Sequence, residues 1–164
     1  MIERQQLPQT WPTPPFHIVL MEPEIPGNTG NIARLCAATA TALHLVDPLG
    51  FRIDDASVKR AGLDYWDAVD LRRHASVHEY MDEYASTRKF LLSTRATTSY
   101  CDVTFKPGDH FVFGSESTGL PQTLVDEHAP HVIGIPILLD HVRSLNLANS
   151  AAIVLYEALR QANL

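Results

Sequence analysis

The chain reads as an α/β domain built on a mainly parallel sheet with helices on both faces. Short apolar runs of strand length alternate with helix-periodic stretches along nearly its whole length, and two of those stretches hold the helical period cleanly. The turns that join run to helix are rich in Gly, Asn and Ser, residues that end strands and open helices. A chain of 164 residues can bury a core in one domain without disulfides or metal.

Taken in order, Pro8, Pro12, Pro14 and Pro15 make residues 1–15 an extended tail, and the domain is expected over 16–164. The spacing predicts strands over 16–21, 44–47, 90–94, 111–114 and 131–137. Helices are expected over 28–42, 55–62, 76–84, 120–128 and 147–161. In the first helix Ile32, Leu35, Cys36, Thr39, Ala40 and Leu43 share a stripe, with Asn28 or Thr29 able to cap its start. In the last, Leu147, Ala151, Val154, Leu155, Ala158 and Leu159 do the same behind Asn146.

Thirteen Lys and Arg against nineteen Asp and Glu leave a net charge of −6, which argues against coating nucleic acid by bulk charge and leaves room for a local basic patch. Cys36 and Cys101 form no CxxC pair and read as buried thiols in a reducing compartment. No signal peptide or membrane span is apparent, so a cytoplasmic location is expected.

Three polar segments carry the chemical interest: PGNTGNIAR at 26–34, FGSESTGLP at 113–121 and RSLNLANS at 143–150. Each opens a helical pattern and exposes backbone groups, so their convergence would make a pocket for a nucleoside-like ligand. Taken alone, either glycine turn is more simply a strand-to-helix connection. Leu120 and Pro121 stand where a P-loop needs Lys and Ser/Thr, and no GxGxxG occurs, which excludes the common nucleotide fingerprints. His74 and His78, four apart on an expected helix, read as a solvated face rather than a metal pair. Ser115 and Glu116 do not form a nucleophile elbow. Arg34 and Arg143 could each be ordinary surface charges, but both border segments richer in amides and hydroxyls than capping requires.

Together and in this order, EPEIPGNTGNIARLCA at 22–37, RAGLDY at 60–65, FGSESTGLP, Ile135–Pro136, RSLNLANS and VLYEA at 154–158 resemble the SPOUT superfamily of RNA methyltransferases, nearest to those that methylate the 2′-oxygen of the tRNA wobble nucleotide. The resemblance implies an α/β domain with a C-terminal deep trefoil knot that binds S-adenosylmethionine without metal. It places Leu92, Thr94, Gly114, Glu116, Gly119, Ile135, Ser144, Leu145 and Asn149 at the cofactor. It makes Arg34 the catalytic arginine, with Asn31 and Glu116 orienting it, since a buried guanidinium needs acceptors. The implied partner is a tRNA anticodon loop, contacted by Arg34, Lys59, Arg60, Arg95 and Arg143. Methylation at another tRNA or rRNA position, and a non-catalytic knotted RNA-binding protein, are the alternatives. The resemblance also implies a homodimer through the first and last helices. The periodicity of the last helix equally fits a stripe that covers its own sheet.

Overall fold

Six strands, every pairing parallel, make the sheet on which the chain is organised, in the order β3-β2-β1-β5-β4-β6. They are β1 His17–Met21, β2 Ala42–Val46, β3 Leu71–His74, β4 Lys89–Leu92, β5 His110–Phe113 and β6 Val132–Ile133. This computed structural model describes residue 7 and residues 9–53, 65–138 and 140–162. Among the described residues four α-helices accompany the sheet: α1 Pro26–Thr39, α2 Val77–Glu83, α3 Gln122–Glu127 and α4 Leu147–Gln161. The helix expected over 55–62 lies outside the described residues.

Every residue of β1 and β2 is buried, as near-continuous apolar runs require when a parallel sheet is covered on both faces. Alternation then sorts the side chains. Ile18, Leu20, Leu43, Leu45 and Phe111 join Ile32, Cys36, Val154 and Leu155 in one core beneath α1 and α4. Val19, Met21, Val46 and Val112 join Tyr80 and Leu124 in a second beneath α2 and α3.

The last helix is capped by Asn146, whose side-chain oxygen accepts from the backbone of Ala148 at 2.9 Å and Asn149 at 3.3 Å. Its stripe of Ala151, Val154, Leu155, Ala158 and Leu159 is buried in the first core, so it covers its own sheet and is not available to a partner. Tyr156, on the opposite side, is 47% exposed.

Several expectations are corrected. Helix α1 starts at Pro26, which needs no N–H there, and Asn28 and Thr29 are buried inside its first turn rather than capping it. Strand β3 was not foreseen, because LRRH carries two charges. It is an edge strand, and Arg73 and Arg72 lean outward to the carboxylates of Asp47 and Asp70 at 2.9 Å. His74 therefore ends a strand, buried, while His78 sits exposed on α2. Strand β6 is two residues long instead of seven. Cys36 is buried, but Cys101 is exposed.

Candidate functional site

Strands β1 to β3 run outward on one side of the sheet and β4 to β6 occupy the other, so the order reverses between β1 and β5. Crevices at the carboxyl ends of strands beside such a reversal are where α/β proteins bind ligands. A cleft of about 880 Å³ lies there. Its walls come from Met21 and Glu22 at the end of β1, residues 92–95 at the end of β4, 113–122 at the end of β5, Gly134, Ile135 and Ile137 after β6, and 143–147 at the start of α4. The three polar segments thus converge, with Asn28 of the first and Ile25 just ahead of it, all of the second, and Arg143 to Leu147 of the third on one cavity.

Side chains from distant loops lock this cavity open. Helix α1 has no capping side chain of its own, and its entry is capped from 92 residues away. The Glu116 carboxylate accepts from the backbone N–H of Glu24 at 2.8 Å and of Ile25 at 3.2 Å. A carboxylate at a helix N-terminus meets unpaired N–H groups and the positive end of the helix dipole. Glu24 returns the contact, accepting from the Ser117 N–H at 2.9 Å and the Ser117 hydroxyl at 2.7 Å. Asn28 joins the third loop: its amide donates to Glu116 at 3.0 Å, and its oxygen accepts from the Asn146 amide at 2.9 Å. Asn146 then caps α4, so one chain of hydrogen bonds runs from the start of α1 through the second loop to the start of α4.

Gly114 is needed for the second loop to close on itself. A Cβ there would lie 2.0 Å from the Gly119 carbonyl carbon and 2.2 Å from the Leu120 nitrogen. Gly119 donates back to the Ser115 carbonyl at 2.9 Å with φ +72, a conformation that favours glycine. Glu22 also adopts a left-handed φ of 51 at the rim of the cleft, backbone strain of the kind that gathers at binding sites.

Of the residues expected at the cofactor, Leu92, Thr94, Gly114, Glu116, Gly119, Ile135, Ser144 and Leu145 all line the cleft. Asn149 does not; it is exposed on the first turn of α4, with its N–H on Asn146. Arg95 and Arg143 stand on the wall, and Arg95 donates to the Gln122 amide oxygen at 3.2 Å. Lys59 and Arg60 lie outside the described residues.

Arg34 is neither buried nor on the wall of its own chain's cleft. Its guanidinium stacks 5.0 Å over the ring of Tyr65, whose hydroxyl donates to the Gly30 carbonyl at 3.2 Å. Within this one chain Arg34 does not meet Glu116, whose two oxygens accept at the α1 entry and from Asn28. Asn31 is exposed on α1. Sequence reasoning missed Glu24, Asn28 and Asn146 as parts of the site. Asn28 and Asn146 stand out in the sequence only as caps, and no local signal pairs residues about a hundred positions apart.

The family model for the SpoU rRNA Methylase family matches residues 15–156. A tRNA (cytidine(34)-2'-O)-methyltransferase of Methylovorus glucosotrophus is 48% identical over 147 residues, covering 89% of this chain and 95% of that protein. Its counterpart from Burkholderia pseudomallei is 47% identical over 150 residues, covering 90% and 96%. A solved structure concerned with 2-OH methylation of C/U34 on tRNA superposes with a TM-score of 0.83 at 43% identity, covering 90% of this chain and 95% of that one. The methyltransferase AviRb from Streptomyces viridochromogenes, solved with AdoMet, gives a TM-score of 0.74 at 27% identity over 89% of this chain and 60% of that one. With the family model spanning most of its length and relatives near half identity over nine-tenths of it, this chain belongs to the SpoU methylase family.

Proposed function

We propose that this protein transfers a methyl group from S-adenosylmethionine to the ribose 2′-oxygen of the wobble nucleotide, C34 or U34, in a tRNA anticodon loop. The observation that carries this reading is the joining of all three polar segments around one cleft, in a chain about half identical to methyltransferases named for cytidine 34. The cleft fits the cofactor's chemistry. Leu92, Ile135 and Leu145 offer apolar wall for an adenine ring, and the glycine-bearing second loop offers backbone groups without side chains in the way.

S-Adenosylmethionine supplies, when bound, a methyl already activated on a sulfonium. In the step, the 2′-oxygen forms its bond to carbon as the carbon–sulfur bond breaks, the sulfur keeps the electron pair as S-adenosylhomocysteine, and the hydroxyl proton passes to water. No metal takes part in this step. The protein's work is positioning. A guanidinium stays protonated, so Arg34 serves by holding the ribose hydroxyl and its phosphate rather than by taking the proton. Glu116, Asn28 and Asn146 hold the loops so that little ordering remains to be done when ligand binds.

Arg34 stands off the cleft of its own chain, and a second copy placing its Arg34 at that cleft would complete the site. A homodimer with this exchange is part of the proposal, with α1 and the Tyr156 side of α4 as the contact. So are the cytoplasmic location, tRNA contacts through Arg95, Arg143, Lys59 and Arg60, and a knot in which the chain after β6 threads the C-terminal part. Helix α4 packing back against α1 supports the last of these.

The deciding experiment offers the protein two tRNAs that differ only at position 34, one with ribose and one with 2′-deoxyribose. Labelled methyl transfer should occur to the first and vanish for the second. Equal transfer to both would move the target elsewhere.

A further inference from the structure

At the opposite end of the same strands lies a buried layer of histidines that the methyl-transfer reading does not use. His17 and His110 open β1 and β5 and are register partners, and His44 lies on the neighbouring strand β2. All three are buried, and one ring nitrogen from each lies within 4.8 Å of the others. We propose that His17, His44 and His110 form a binding site for a divalent transition metal of the zinc class, separate from the cleft.

Imidazole nitrogens at about 2.05 Å from a tetrahedral ion stand roughly 3.4 Å apart, so small rotations of the three rings close the site. The tightest pair, His17 Nδ1 and His44 Nε2, is already at 2.8 Å. What distinguishes this cluster from a set of packed rings is that the second nitrogens of His44 and His110 are held from behind. His44 Nδ1 meets His74 Nε2 at 2.9 Å, and His74 Nδ1 meets the Glu83 carboxylate at 3.2 Å. His110 Nδ1 meets the Tyr80 hydroxyl at 2.8 Å, which leaves Nε2 as its metal-binding nitrogen. Outer partners of this kind, ending in a carboxylate or hydroxyl, fix ring orientation and tautomer in metal sites.

The tautomers follow from the carboxylate. Glu83 accepts from His74 Nδ1–H, so His74 Nε2 accepts from His44 Nδ1–H, and the proton between His17 and His44 belongs to His17 Nδ1. Metal binding would move that proton to His17 Nε2 and free both lone pairs without changing the net protonation. Burial and neighbouring positive charge hold all three rings neutral, which is the ligating form. Two cations flank the layer, and both are engaged: Arg72 by Asp70 and the Tyr84 hydroxyl, Lys89 by the carbonyls of Tyr84 and Thr87. His17, 8% exposed, is the point of entry.

The test uses the whole chain, stripped with chelator and then titrated with Co²⁺, read by visible absorption, and with Zn²⁺ against a chromophoric competitor. One equivalent should bind, with the absorption of a nitrogen-ligated ion. His44→Gln should abolish it, Glu83→Gln should weaken Zn²⁺ binding about 10-fold, and His78→Ala should change nothing. S-Adenosylhomocysteine binding reports folding; if His44→Gln loses that too, Glu83→Gln and Tyr80→Phe decide the matter. Absence of a Co²⁺ band in the wild-type chain, or equal affinity in the wild type and all the variants, overturns the site.

Discussion

Strands β1 and β5 carry polar groups at both of their ends, and the two ends handle them in opposite ways. At the amino ends, His17 and His110 are buried against His44, His74 and Tyr80, and their partners lie within one layer under α2. At the carboxyl ends, about 13 Å away by strand rise, the polar groups stand on exposed loops and pair across 88 to 118 residues of sequence. Both ends pair nearly all of their buried polar groups; among the described residues the hydroxyl of Thr29, at the start of α1, has no partner. Only the carboxyl end does so while keeping a cavity between the partners. The comparison teaches that openness here comes from where the partners sit, on separate loops that brace each other, rather than from unpaired polar groups.

Four experiments would break or sharpen that contrast. The largest effect is expected from Arg34→Ala, which should lower kcat by about 1,000-fold, the scale of losing a charged donor to the reacting groups. Cofactor affinity, measured by calorimetry, should barely change, since the proposed role of Arg34 is to hold the acceptor's ribose hydroxyl and phosphate rather than the cofactor. Gly114→Val comes next. Its side chain would meet the backbone of Gly119 and Leu120 rather than intrude into ligand space, so the whole loop must shift and S-adenosylhomocysteine binding should weaken by about 100-fold or more.

Smaller again is Glu116→Gln. The neutral amide keeps the shape but loses two charge-assisted hydrogen bonds to the α1 entry, which should cost about 1–2 kcal/mol of stability. Cofactor affinity should fall about 10-fold, and an unchanged value would mean that the bracing of the loops does not matter to the cleft.

The gentlest test concerns the amino end and pH. Burial, with the charge of Arg72 and of neighbouring histidines, pushes His17 to about 4, His44 to about 3 and His110 to about 2. Each has an ordinary value of 6.5 when unfolded, so below that pH the unfolded chain binds protons that the folded chain refuses. The stability contributed by these groups is complete above pH 6.5 and drains away as the pH falls through about 4 for His17, about 3 for His44 and about 2 for His110. Thermal midpoints should therefore decline across that window, and His44→Gln should show a shallower decline. A flat profile in the wild-type chain would mean that the layer opens to water before it charges.

The alternation of apolar runs with helical stripes, and the composition of the three polar loops, were legible from residues 16–161 because each depends on neighbours within one turn or one strand. Asn146 as a cap and the inward stripe of α4 are local in the same sense. Strand β3 escaped because an edge position tolerates the two arginines that disguise it. The bracing by Glu116 is illegible for a different reason: its partners are the backbone groups of Glu24 and Ile25 and the amide of Asn28, which no spacing rule connects to it.

The amino-acid sequence by itself determined the class of fold and the three polar loops, because hydrophobic period and turn chemistry are written in short windows, and it carried the family through the resemblance of its ordered motifs. Tertiary structure alone decided which of those loops brace which, that Arg34 leans on Tyr65 away from its own cleft, and that four histidines scattered from position 17 to 110 become one buried layer. The physical reason is that parallel pairing brings residues tens of positions apart into register, and the identity of a partner across a sheet or between loops leaves no mark on the chain around either residue.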